Sequence, residues 1–237
     1  MPADTMTAPA PTTTPQRNAR SLAARWETLL LGLIVVMLVF GASLSDEFLS
    51  TDSFTTGSLD LTEIALMALA LTLVIVAAEI DLSVASMLAL SSALMAWLWN
   101  SGLPVEFILP ICLVAGAVGG AFNGILVTRL GLPSLAVTIG TLALYRGLAF
   151  VVIGNESVTD FPGYWTDLAF GNFAGTFIPN TIALFALLAV AFAVVLHATP
   201  FGRSIYAIGA NQEAAYFSGL RVKRTKLILF TVSGIVA

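Results

Sequence analysis

Charge is scarce in this sequence, so the few ionisable residues among its apolar runs are where chemistry would be found. Arg146 lies about a dozen residues into one such run, and Glu79 and Asp81 fall between two others. A charge held in hydrocarbon is expensive, and it is retained when it has a partner or lines a pathway. Arg146 has three such roles open to it: a structural pair with Glu63, snorkelling toward the outer surface, or lining a path where ligand hydroxyls accept its N–H donors. Asp81 or Ser83 suits the cap of the following helix, where an oxygen accepts the first free amides and negative charge is favoured. No covalent chemistry is legible. The sequence has one histidine, His197, at the end of an apolar run, and one cysteine, Cys112, inside another, and it has no HExxH, GxSxG or Walker A motif. That excludes a histidine or cysteine metal cluster and a nucleotide site of the phosphate-loop type.

The elements that position these residues follow from composition. Of 237 residues, 58% are apolar and 10% are charged, whereas soluble domains carry roughly 25% charged residues. The apolar residues form long blocks rather than alternating, which excludes an outer-membrane barrel. Helices remain, because each backbone polar group in lipid needs a partner within its own segment. The predicted class is all-α: a polytopic transmembrane bundle with spans at 26–44, 59–78, 82–99, 105–128, 134–153 and 178–197, plus the start of a seventh at Leu227. The run from Leu227 to Ala237 reaches roughly 16 Å, half a bilayer, which suggests a C-terminally truncated chain. Residues 1–25, rich in Pro, Thr and Ala, read as a disordered cytoplasmic tail, and 26–237 as the transmembrane domain.

Basic residues set the orientation. Arg17, Arg20 and Arg25 precede the first span and place the N-terminus in the cytoplasm. Six crossings then put Arg129, Arg203, Arg221, Lys223, Arg224 and Lys226 inside, while Asp46, Glu47, Asp52, Glu156, Asp160 and Asp167 fall outside. The connection at 79–81 is cytoplasmic in this threading yet holds no basic residue, so it also reads as a break within the membrane. Gly116, Gly119, Gly120 and Gly124 give the small-residue spacing that lets helices approach closely in lipid, and Asn123 can hydrogen-bond across them.

The inner loop 199–226 contains GRSIYAIGANQEAAYFSGL. Asn211 is a good N-cap, 212–218 can make about two turns, and Gly219 suits the left-handed position that ends a helix. The run Glu213-Ala214-Ala215 followed by Gly219 resembles the EAA-x-x-x-G coupling motif of ABC importer permeases. The wider loop is similar to that of the ribose, xylose, rhamnose and autoinducer-2 permeases. The resemblance assigns the ATPase-coupling role to Gly202, Arg203, Gly209, Asn211, Glu213, Ala214, Ala215 and Gly219. The segment AEIDLSVAS resembles the family's GG-x-DLSVGS signature at Asp81, Leu82, Ser83, Val84 and Ser86, with Ala78, Glu79 and Ala85 replacing its glycines. Pro133, Thr138, Gly140, Thr141, Tyr145, Arg146 and Gly147 match a third family pattern. Asp81, Ser83, Tyr145 and Arg146 are the candidates for the translocation path.

The resemblance implies a permease subunit, not an enzyme, in the bacterial inner membrane. Its partners would be a second permease, identical or paralogous, a cytoplasmic ABC ATPase that hydrolyses the ATP, and a periplasmic or lipid-tethered sugar-binding protein. The cargo would be a monosaccharide or small polyol, with rhamnose or autoinducer-2 favoured over ribose and xylose. No cofactor bound by this chain and no nucleic acid are implied. The alternative class is an ion-coupled secondary transporter, for which Glu63, Glu79 and Asp81 are the inner carboxylates.

Overall fold

The structure, a computed structural model, describes residues 26–154, 157–176 and 178–237, without the side chains of residues 51, 52, 54 and 60. The reading of 1–25 as a tail, with Arg17, Arg20 and Arg25, and the placement of Glu156 lie outside the described residues. The contacts divide the chain after Ser53 into two units. The first holds helix α1, Trp26–Leu44, none of whose residues is buried. Within this unit Gly41 lies under the Phe48 ring, which sits 2.5 Å from where a Cβ would stand.

The second unit is a helical bundle. Helix α2, Thr51–Val76, leads into α3, Val84–Asn100, then α4, Val105–Arg129, and α5, Ser134–Ile153. A short α6, Gly163–Phe170, and a 3-10 turn, Phe173–Gly175, precede α7, Asn180–Ala198. Three closing helices follow: α8, Pro200–Ala210, α9, Gln212–Phe217, and α10, Val222–Val236. Five helices are long and apolar enough to span a bilayer: α1, the Thr55–Val76 part of α2, α4, α5 and α7. Helix α3 is apolar but has 17 residues, about 25 Å against roughly 30 Å of hydrocarbon.

The shortness of α3 has a local cause. The expected spans 59–78 and 82–99 would leave three linking residues, but helix ends at Val76 and resumes at Val84. Ala78 has φ 57°. Its N–H bonds Ile75 O at 2.9 Å, and the Glu79 N–H reaches back to Val74 O at 3.1 Å. Those bonds form a Schellman ending, which calls for a left-handed residue. Beyond it, the backbone finds partners at the start of α5: Ile80 N–H donates to Ser134 Oγ at 3.3 Å, and Thr138 Oγ1 donates to Ile80 O at 3.3 Å. The connection is therefore a packed break rather than a solvated loop.

Helices α4 and α10 meet in the tightest seam. A Cβ on Gly116 would stand 2.1 Å from Gly234 O, one on Gly120 2.2 Å from Phe230 O, and one on Gly124 2.8 Å from Leu227 Cδ1. The register runs in opposite senses along the two helices, so they are antiparallel. The fourth glycine, Gly119, faces away from that seam, toward Met87 of α3 and the hydroxyl of Tyr145 on α5. The apolar core sits where the ends of α2, α4 and α7 meet the start of α5 and the middles of α8 and α10, around Val74, Val127, Val137, Leu196, Ile205 and Phe230.

Helix α2 begins at Thr51, eight residues before the expected span, and two further differences lie toward the C-terminus. The loop 199–226 holds a second helix, α8. Thr199 caps it by accepting Gly202 N–H at 3.1 Å, and it buries Ile205 and Ile208. The last helix begins at Val222, not Leu227. The basic stretch 223–226 conceals an amphipathic turn, with Val222, Thr225 and Lys226 buried and Lys223 and Arg224 exposed.

Candidate functional site

Helix α9 has the predicted form at nearly every point. Asn211 Oδ1 accepts from Ala214 N–H at 2.9 Å. Gly219 has φ 84°, its N–H bonds Tyr216 O at 3.0 Å, and Leu220 N–H reaches Ala215 O at 3.1 Å. The helix ends at Phe217, one residue short of expectation. Ala215 is its buried residue and packs in a small cluster with Ile208 of α8 and Val222 of α10. Glu213 and Ala214 face outward. Beside them Tyr216 and Phe217 are 64% and 79% exposed, an aromatic pair in edge contact at 5.8 Å. Sequence reasoning passed over this pair. The α9 period that buries Ala215 was available in the sequence to find it.

The two glycines of the loop are spacers. A Cβ on Gly202 would stand 2.0 Å from Leu196 O at the end of α7, and one on Gly209 1.9 Å from Val76 O at the end of α2. Helix α8 therefore lies directly against the last turns of two spans. Arg203, between them in sequence, is exposed.

Asp81 and Ser83 come together in a polar network inside the bundle. Asp81 is 3% exposed. Its Oδ1 accepts from Ser83 N–H at 3.0 Å and Ser83 Oγ–H at 2.6 Å, and its Oδ2 accepts from Ser233 Oγ–H at 2.8 Å. Asn123 donates to Ser83 Oγ at 2.8 Å, the cross-helix bond anticipated for it. Ser83 holds the N-cap position of α3, but its hydroxyl turns to Asp81 and not to the helix amides. Buried carboxylates need such donors. Asn123 Oδ1 is buried and has no hydrogen-bond partner among the described residues. Ser233, on the last helix, carried no sequence signal that tied it to Asp81.

Tyr145 is buried, and its hydroxyl donates to Gly119 O at 2.9 Å. It braces α5 on α4 through the space that glycine leaves. Arg146, the next residue, points elsewhere. It lines a cavity of about 480 Å³ walled by Ala89, Ser92, Ala93, Ala96 and Ala149. The pairing of Arg146 with Glu63 is not formed: among the described residues neither side chain makes an ion pair. The structure therefore does not bring the Tyr145 and Arg146 side chains together. At the far end, a cavity of about 530 Å³ is lined by Trp99, Glu106, Asp160 and Tyr164. The Glu106 carboxylate accepts the Tyr164 hydroxyl and pushes that phenol's pKa up.

Residues 53–237 match the family described as branched-chain amino acid transport system permease component. The chain is 31% identical over 218 residues to the autoinducer 2 import system permease protein LsrD of Enterobacter sp. strain 638, covering 90% of this chain and 66% of the relative. It is likewise 31% identical over 219 residues to the proteins of that name in Yersinia enterocolitica and Yersinia pestis Pestoides F, covering 65% of each. The chain thus spans just under two thirds of the length of these curated relatives. No solved structure matches it. With a described bundle of apolar helices and a family match over most of its length, the chain belongs to the branched-chain amino acid transport system permease family, whose members are membrane transport components and not enzymes.

Proposed function

We propose that this chain is a permease subunit of an ATP-driven, binding-protein-dependent importer, and that α9 is where a cytoplasmic ABC ATPase docks. One observation carries the reading. A capped helix of six residues leaves Glu213, Tyr216 and Phe217 uncovered, and its opposite side is anchored by Ala215. Exposed aromatic pairs at a surface mark interaction sites. The exposed basic residues Arg203, Arg221, Lys223 and Arg224 flank it in sequence, and charge bias of this kind supports a cytoplasmic location for α9. ATP-driven closure of the motor then moves α9, and α8 passes the displacement to the ends of α2 and α7.

The cargo is a monosaccharide or small polyol. The relatives' names favour autoinducer-2, with rhamnose next and ribose and xylose after them. A second permease, identical or paralogous, completes the pathway, and a periplasmic or lipid-tethered binding protein delivers the sugar. An ion-coupled mechanism would need accessible carboxylates. Of the three inner carboxylates, Asp81 accepts three hydrogen bonds and Glu79 is ion-paired, which disfavours both as coupling sites and leaves exposed Glu63 as that mechanism's remaining carboxylate.

A photo-crosslinking residue in place of Phe217, in cells expressing the operon, tests the docking. The expected product is an adduct with the ATPase that Glu213→Lys reduces. Adducts with lipid alone would contradict the assignment.

A further inference from the structure

The break after α2 and the coupling helix share one lysine. Lys226, on the first turns of α10, forms an ion pair with Glu79 and donates a second hydrogen bond to the side-chain oxygen of Gln212, the first residue of α9. The pair is well removed from water, with the two side chains 8% and 11% exposed. Two residues beyond Glu79, Asp81 accepts from Ser233, two turns further along α10. The segment 79–83 is thus fastened to α10 at Glu79 and at Asp81, and the first of those fastenings also holds α9. Arg129 and Lys223 line the same cavity of about 340 Å³ as Glu79, Gln212 and Lys226, so Glu79 has other cations at hand when the Lys226 contact opens.

We infer that Glu79, Lys226 and Gln212 form the linkage through which movement of α9 reaches the broken segment 79–83 and the polar network at Asp81. These are positioning residues, and the inference rests on α9 being the ATPase dock. A shift of α9 draws Gln212 off Lys226. The lysine and Glu79 then re-pair, and the segment that carries Asp81 moves with them. Separating a buried pair without a replacement leaves an uncompensated charge. The movement is for that reason a switch between pairings and not a simple rupture.

The test uses the complete transporter in nanodiscs, with a nitroxide on Ile80→Cys in a Cys112→Ala background, since the Ile80 side chain is 44% exposed. Its spectrum is recorded with the ATPase bound and again with ATP trapped by vanadate. With the native pair, trapping changes the spectrum. Glu79→Gln should shrink that change about fivefold or more, in line with typical coupling strengths, while the ATPase still co-purifies and traps nucleotide. The exchange Glu79→Lys with Lys226→Glu should restore it. Native-sized changes in Glu79→Gln and in Lys226→Met would overturn the linkage, and so would an exchanged pair that accumulates but gives no change. An ATPase that never co-purifies with the native chain would remove the docking assignment itself, and the linkage with it.

Discussion

Ala78 carries a conformation that its side chain resists. Three helices of this chain, α2, α3 and α9, close on the same pair of backward hydrogen bonds; α3 and α9 do so on Gly102 and Gly219, and α2 does so on Ala78. An L-residue there costs about 1–2 kcal/mol, part of which a glycine would give back as backbone entropy. Ala78→Gly should therefore stabilise the protein by about 1 kcal/mol. A raised midpoint of thermal unfolding in detergent would bear this out, and a lowered one would show that the alanine methyl is needed where it lies. The sequence hinted at this residue through a motif that carries glycine there, but no composition or period revealed the φ. Arg146 is the opposite case. Its cost was legible from position alone, whereas its surroundings were not, because the cavity is built by α3 and α5 together. Arg146→Leu should abolish uptake of the proposed cargo while the chain still accumulates in the membrane. Native uptake would exclude Arg146 from the path.

At the scale of elements, the span positions were readable because each apolar run is long and bounded by Pro, Gly or charge. The errors fell where amphipathic character hid a helix. Helix α8 mixes Arg203, Ser204 and Tyr206 with Ile205 and Ile208, and the first turn of α10 mixes lysines and arginine with a buried face. Both look polar when read by average rather than by period. The glycine spacing of α4 predicted close packing correctly but not its partner, since nothing in 222–236 except Gly234 advertises a matching groove. The contrast among glycines is testable. A side chain at Gly120 meets the backbone of Phe230 at 2.2 Å, whereas Gly140 has nothing within 4 Å. Gly120→Leu should cost several kcal/mol by forcing α4 from α10, and Gly140→Leu should leave folding intact. Equal accumulation and equal detergent stability of the two variants would contradict the seam.

For the molecule as a whole, the arrangement has a clear division. The apolar core, the break after α2, the two short helices and most basic residues gather at one end, and the acidic, aromatic-lined cavity of Trp99, Glu106, Asp160 and Tyr164 lies at the other. Force applied to α9 at the first end has a short route into the spans through Gly209 on Val76 and through Ala215 on Ile208 and Val222. That route has a use only if α9 faces the compartment that holds ATP. Sidedness of labelling tests this most directly, with single cysteines at Ser218 and Thr159, both exposed, in a Cys112→Ala background. An impermeant maleimide applied to intact spheroplasts should label Thr159→Cys and spare Ser218→Cys, and inverted vesicles should give the reverse. Labelling of Ser218→Cys from outside intact cells would contradict the account.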